Sequence, residues 1–297
     1  YQNFSDAHNL MSYRHTRAHN SLLVNGIGQP YSTEGYGSVM RAMGGQHISY
    51  CLGDASHAYR SISNDPMWVD YFKQAGIEQT PENGFGATPL TKYRRHVLML
   101  HPHTVIVYDE LEASEAVRWE WLLHSPTEFK IDAVKKTLST DNKTKGWVAV
   151  TQLFGGHVFT LSQTDRFVVP PAITGAEYPN QWHLTARVDG CSTTRFLAII
   201  QVGDEAVSII NRDGDTFNVG DWTIKAVLDA SKAPELTVSH RTEQAVFSYG
   251  TDNPALNGNF YSRQFTGSSL LYDEIDGAYQ VVEMTDRSPI STRVVNQ

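Results

Sequence analysis

Arg94-Arg95-His96-Val97-Leu98-Met99-Leu100 runs into His101-Pro102-His103, and Thr104-Val105-Ile106-Val107-Tyr108-Asp109-Glu110 follows. Two apolar, β-branched runs flanking a Pro-containing turn predict a hairpin. The same period-two pattern extends outward. Trp119-Glu120-Trp121-Leu122-Leu123-His124-Ser125 alternates at its start, and further strands are expected over Trp147 to Leu153, His157 to Thr164, Arg195 to Val202, Ala206 to Asn211 and Trp222 to Val227. Ser269 to Tyr272 and Tyr279 to Glu283 are weaker candidates. Turn chemistry at Gly155-Gly156, Arg212-Asp213-Gly214-Asp215 and Asp276-Gly277 separates strand-like runs. Helical periodicity is scarce; Asp65 to Pro89, with Met67-Trp68-Val69-Asp70-Tyr71-Phe72-Lys73, reads as a short helix or an excursion loop. The polar stretch from 130 to 145 reads as a hairpin loop rather than a domain break. So many strands need at least two stacked sheets. The expected fold is all-β, a large antiparallel multi-stranded β-sandwich over residues 1–297, with a smaller C-terminal β subdomain from about residue 235.

The chain has 297 residues, with 24 Lys+Arg against 32 Asp+Glu for a net charge of −8, 40% apolar and 19% charged residues. That is ordinary globular composition, long enough to bury a core without disulfide staples. Disorder is excluded. Apolar runs such as Val97-Leu98-Met99-Leu100 are of strand length, far short of the roughly 20 residues of a membrane-spanning helix. Without a Lys/Arg-rich tract, nonspecific nucleic-acid binding is not expected either. Cys51 and Cys191 lack CxxC spacing and are expected as buried thiols, one disulfide being the alternative. A start at Tyr1, without Met or leader and almost directly in a motif-rich segment, suggests a fragment or processed chain.

That segment is dense in chemistry: Asp6, His8, Asn9, Tyr13, Arg14, His15, Arg17, His19 and Asn20 lie within fifteen positions. Three imidazoles suit a divalent transition metal, with zinc the default for His and carboxylate ligands. Arg14 and Arg17 could grip carboxylates or sulfates bidentately. An exposed basic loop is the competing reading, and the eleven-residue separation of His8 and His19 is no recognised ligand spacing. From Tyr13 to His19 there are two Arg, two His and no carboxylate, so a basic edge can stand on an acidic body.

Arg17-Ala18-His19-Asn20-Ser21-Leu22-Leu23-Val24-Asn25-Gly26-Ile27-Gly28-Gln29, then Gly53-Asp54-Ala55-Ser56-His57-Ala58-Tyr59, then Trp121-Leu122-Leu123-His124-Ser125, resemble in order the C-terminal half of heparinase II/III-like polysaccharide lyases. The resemblance is densest over residues 8 to 125. It implies the β-sandwich half of an enzyme whose N-terminal α/α toroid packs against the sandwich, a uronic-acid polysaccharide being cleaved between them. His19 is implied as a structural zinc ligand, its companion His and Asp lying upstream of Tyr1. His8-Asn9 resembles a cleft-facing pair, with His8 as the catalytic-side contact and Asn9, Arg14 and Arg17 as substrate contacts. The substrate is expected to be an anionic polysaccharide, heparin or heparan sulfate first and alginate second, and the location periplasmic or secreted.

Other motif residues carry plain alternatives. Asp54 can simply cap a turn, His124 can be a satisfied core histidine, Gln29 a turn residue, and Tyr93-Arg94-Arg95-His96 a solvated strand face. Eliminative cleavage needs the uronate carboxylate neutralised and a base that later acts as acid. In the resemblance, the principal Tyr, His and Asn for this belong to the toroid. The competing class is a non-catalytic carbohydrate-binding sandwich, with Trp68, Tyr71 and Trp182 stacking on sugars. A paired-carboxylate hydrolase ranks last, because Asp109 and Glu110 are adjacent on one strand and must point to opposite faces.

Overall fold

The computed structural model describes residues 3–135, 137–142, 147–171, 180–203, 210–251, 254–256, 259–286 and 291–294. The first sheet contains β1 (Leu22–Val24), β2 (Ser38–Gly44), β3 (Ile48–Asp54), β4 (Leu90–Leu100), β5 (Thr104–Ser125), β6 (Lys130–Asp132), β7 (Thr137–Asn142), β8 (Trp147–Gly155), β9 (Thr160–Thr164) and β10 (Trp182–Gly203). Its order is β2-β3-β4-β5-β10-β8-β7-β6, with β1 also pairing β5 and β9 also pairing β10. The second sheet runs in sequence order through β11 (Ile210–Asp213), β12 (Thr216–Val219), β13 (Trp222–Ala226), β14 (Leu236–His240) and β15 (Val246–Tyr249). After the small ribbon of β16 (Ala255–Leu256) and β17 (Asn259–Phe260), it continues with β18 (Ser269–Ile275), β19 (Ala278–Met284) and β20 (Ser291–Val294). The expected all-β antiparallel sandwich is what forms.

The hairpin of β4 and β5 forms about the Pro-containing turn, with Leu100 opposite Thr104. Its second arm is longer than the sequence suggests: the runs 104–110 and 119–125 are one 22-residue strand. Residues 111–118 hold no Gly or Pro to break it. Likewise Arg195 to Val202 is the end of the 22-residue β10. Gly190, at φ 71°, and register shifts on either side of Cys191 bend β10 without ending it. Within the polar stretch 130–145, the described residues 130–132 and 137–142 form β6 and β7, because Leu138 drops into the core and Ile131 pairs with it, while 136 and 143–145 lie outside the described residues. Residues 206–209 of one expected strand lie outside the described residues. The Asp65 to Pro89 stretch yields α1 (Pro66–Gln74), which starts on Pro and buries Phe72, followed by a loop. Both cysteines are free and half-buried.

Alternation on β5 and β10 feeds two cores. Ile106, Tyr108, Leu197 and Ile199 face the second sheet, where they meet Phe217, Ile224, Val238, Phe247 and Leu271. Leu111, Trp119, Trp121, Leu184, Phe196 and Ala198 point the other way, onto Leu22, Tyr59 and Tyr93. Burying an apolar side chain this completely contributes about 1.5–3 kcal/mol.

The Tyr93 to His96 segment is not the solvated face expected. It is internal, and its charges are paired. Arg95 donates from Nε to Asp109 Oδ1 at 2.7 Å and from Nη2 to Oδ2 at 2.8 Å, and Trp121 Nε1 donates to the same carboxylate at 2.9 Å. His96 lies between Tyr50 and Glu110, 3.0 Å from each. Burial alone would raise the Glu110 carboxyl; the His96 hydrogen bond and the Lys92 ammonium 2.7 Å away overcome it and hold it down at about 2. Asp109 and Glu110 do serve opposite layers.

One buried carboxylate pins the two sheets together at the β2–β3 turn. Asp273 on β18 accepts from the backbone N of His47 and Ile48 at 2.9 and 2.8 Å, and its other oxygen lies 2.7 Å from His47 Nδ1. A Cβ on Gly45 would collide with this carboxylate. Asp273→Ala strands buried donors and is expected to cost about 2–4 kcal/mol in urea unfolding, with an unchanged denaturant slope.

Candidate functional site

The chemistry-dense N-terminal segment folds as two tight turns. Asn9–Tyr13 is a π-helical turn closed by the Arg14 N to Asn9 O bond at 2.8 Å. Thr16–Ala18 is a 3-10 turn capped by His15, whose Nδ1 accepts from Arg17 N at 3.1 Å and from Arg17 Nε at 3.0 Å. Nδ1 being an acceptor, the proton of neutral His15 sits on Nε2, which donates to Gly84 O at 3.0 Å. Burial, then the nearby Arg17 charge, drives this imidazole down to about 3. Arg17 Nη2 donates to Asn83 O at 2.8 Å. Gly84, at φ 90°, is glycine for a second reason: a Cβ there would strike Arg17 and the His15 ring.

The three motif segments, distant in sequence, knit together at this end of the sandwich. Leu22 pairs with Trp121, and Leu22 O accepts from the buried Tyr59 hydroxyl at 2.6 Å. His124 N donates to Asn20 Oδ1 at 2.8 Å, and Arg95 Nη1 donates to Asn20 O at 2.6 Å. Asp54 caps a turn by accepting from Ser56 N at 2.9 Å. Gln29 donates weakly to the Tyr59 hydroxyl at 3.4 Å, and its N donates to Thr16 Oγ1.

A row of rings crosses the same region. His8 meets Phe167 edge-on at 4.9 Å between centroids, Phe167 meets His183 at 5.2 Å, and His183 meets His124 at 4.7 Å. His124 and His183 are cross-strand partners on β5 and β10. Burial, then the neighbouring His183, lowers His124 to about 4, and burial lowers His183 as well. His124 Nε2 lies 2.9 Å from Arg17 O and Nδ1 3.1 Å from Asn20 Oδ1; both oxygens are acceptors, so the neutral ring donates to one of them. It braces the Arg17–Asn20 turn. His183 escaped sequence reasoning because its place beside His124 is a matter of strand register, which no local pattern encodes.

The expected site residues do not all converge. His8 is nearly buried, its Nδ1 2.6 Å from Val169 O. Asn9 is fully buried and donates to Phe4 O at 3.1 Å. Arg14 and Arg17 form no common fork: Arg14 lies 5.3 and 4.8 Å from the Phe4 and Trp68 ring centroids, while Arg17 holds His15 and Asn83. Trp68 and Tyr71 belong to that aromatic cluster, and Trp182 packs at the edge of the second core. His19 is exposed. Among the described residues no three His, Cys, Asp or Glu side chains are placed to hold a metal ion, so they do not by themselves make a zinc site. No described helix is long and apolar enough to cross a membrane.

No family model and no curated protein matches the chain. Solved structures do. A heparinase III structure superposes at a TM-score of 0.52 with 14% identity, covering 84% of this chain and 32% of its own. A heparinase III with methylated lysines gives 0.51 at 12% identity, covering 80% and 30%. The chain thus shares its β-sandwich fold with the matching part of those heparinase III structures. It spans about a third of the length of those heparinase III structures.

The buried His15 makes stability pH-dependent. The unfolded chain protonates this group near 6.5 and the fold only near 3, so the unfolded state binds more protons between those values. Stability is full above about 6.5 and falls as pH drops. His15 alone should remove about 2 kcal/mol by pH 5, and thermal unfolding of His15→Gln should show a shallower decline than wild type.

Proposed function

We propose that this chain is the β-sandwich half of a polysaccharide lyase that cleaves uronic-acid glycans by β-elimination, with heparin or heparan sulfate the first-choice substrate and alginate the second. The observation that carries the reading is the convergence of the three lyase-like motifs, through Leu22, Tyr59 and Asn20 with His124, at one end of a fold shared with heparinase III.

In this proposal the sandwich forms one wall of a cleft and an upstream α/α toroid, or a chain equivalent to it, forms the other. Elimination removes the proton beside the uronate carboxylate and expels the 4-linked glycosyl oxygen. The carboxylate must first be neutralised, and Arg17 supplies a fixed guanidinium for that. His8 is the histidine proposed on the substrate side; its Nδ1 is committed to Val169 O, which leaves Nε2 for contact with the glycan. His15 and His124 are kept neutral by burial and hold Arg17 and Asn20 in position. His19 is proposed as one zinc ligand, the others lying upstream of Tyr1; elimination needs no metal-activated water, so zinc would serve as a brace. A periplasmic or secreted location follows from a large extracellular substrate.

The second reading is a carbohydrate-binding sandwich without chemistry. It is favoured by one cluster, in which the exposed Phe4 ring and the half-buried Trp68 flank Arg14 and offer a stacking platform.

Ultraviolet absorbance of the conjugated double bond separates the two. With any upstream partner retained, a rise is expected on heparin or heparan sulfate, tested beside alginate, hyaluronan and chondroitin sulfate. Flat traces on all five, with an intact-mass check showing the toroid present, would overturn the lyase reading in favour of the binding module.

A further inference from the structure

Asp273, the pin between the sheets, also sets the chemistry of the imidazole beside it. Its Oδ1 accepts from Glu274 N at 2.8 Å and lies 2.7 Å from His47 Nδ1, while Oδ2 takes the backbone donors of His47 and Ile48. A fully buried carboxylate can only accept, so the proton of neutral His47 sits on Nδ1. The lone pair of the ring is then on Nε2, which faces Glu243 Oε2 across 3.8 Å. That gap is too long for a hydrogen bond. A neutral imidazole and a carboxylate thus turn two electron-pair donors toward one another, and among the described residues His47 is the only ion-pair partner of Glu243.

The two side chains come from turns on different sheets. His47 lies between β2 and β3, where Gln46 N donates to Glu274 O at 2.8 Å and His47 O accepts from His101 N at 2.9 Å. Glu243 lies between β14 and β15, in a turn closed by Glu243 N to His240 Nδ1 at 2.9 Å and His240 N to Ala245 O at 3.0 Å. Both main chains are fixed, while the Glu243 side chain, 48% exposed, is free to adjust and the His47 ring, 22% exposed, is within reach of solvent. The surroundings are anionic. Partial desolvation, then Glu243, Glu274 and Asp273, push the Tyr279 hydroxyl up. Among the described residues no Lys or Arg pairs with any of these three carboxylates, and such a field concentrates cations.

We propose that His47 Nε2 and Glu243 form a site for a divalent transition-metal ion of the zinc or nickel kind, tying the β2–β3 turn of one sheet to the β14–β15 turn of the other. An imidazole donor selects against magnesium and calcium, which take oxygen ligands. A carboxylate behind the ring, here Asp273, orients a ligating histidine and makes it more basic. Bonds of about 2.0–2.2 Å to each donor span the pair after a small movement of Glu243. Two protein donors leave the rest of the shell to water, so the ion is exchangeable. The site lies apart from the N-terminal motif and rests on neither the lyase reading nor His19.

Isothermal titration of the chelator-treated chain with zinc chloride, and with magnesium chloride beside it, tests the assignment. One zinc should bind, and magnesium should not. Glu243→Gln and His47→Gln should each weaken zinc binding about tenfold or more. His57→Gln, which removes a half-buried imidazole stacked on Tyr36 elsewhere, should leave it at the wild-type level. Zinc at ten times its Kd should raise the thermal midpoint by about 2 °C in wild type and not in Glu243→Gln. Unfolding without metal checks each fold; His47→Gln also loses the bond to Asp273, and Glu243→Gln, at an exposed turn position, carries the test if His47→Gln is destabilised.

No zinc uptake by wild type, unchanged affinity in Glu243→Gln, or magnesium binding as tightly as zinc would each overturn the site. If His19→Gln alone removes zinc uptake, the ion belongs to the N-terminal motif and the His47–Glu243 site fails, whatever the absorbance assay shows. Flat absorbance traces with zinc lost in Glu243→Gln remove the lyase and keep the metal site.

Discussion

The antiparallel pairing of β5 with β10 is the constraint on which the rest of this molecule depends. Two strands of 22 residues, each roughly 70 Å if straight, lie side by side from Trp182 opposite Ser125 to Gln201 opposite Thr104. Over Thr104 to Leu111 and Thr194 to Gln201 both faces are covered, and period-two alternation there sends successive side chains into different cores. A slip of one residue would put each set into the other's core and part Asp109 and Glu110 from their buried partners. The register is therefore held by packing along its whole length, and the bend near Gly190 is absorbed as bulges instead of a break.

Buried charge does the second part of the work. Asp109 sits fully inside, and the Arg95 fork that neutralises it also reaches Asn20 O. An ion pair in the sheet interior thus anchors the turn that bears the N-terminal motif. Such pairs add little net stability, since desolvation offsets attraction, but removing one partner is costly. They act as fixed points. Asp273 plays the same part between the sheets, and Glu110 with His96 and Tyr249 does so in the shared core.

The histidines at the motif end behave in a related way. Burial keeps His15 and His124 neutral, and the neutral His15 imidazole accepts from Arg17 at Nδ1 and donates to Gly84 O at Nε2, which suits a brace between loops. Their effect is to leave Arg17 as a positioned cation on an acidic chain. Local geometry, not net charge, governs what such an edge attracts, because screening confines each charge to about 10 Å.

Fold class was legible in the sequence because alternation and turn chemistry are local: the hairpin at His101 to His103 and the turns at Gly214 and Gly277 all follow from neighbouring residues. The motif at Arg17 to Gln29 was equally legible as a place where chemistry collects. What the sequence by itself determined is thus an antiparallel β-sandwich with a basic, histidine-rich edge. The tertiary structure alone decided that residues 104 to 125 are one strand, that Arg95 is interior, and that His183 stands beside His124. Each of these is a contact between residues far apart in the chain, set by strand register and by the demand that buried charges find partners, and neither is written in the spacing of neighbouring residues.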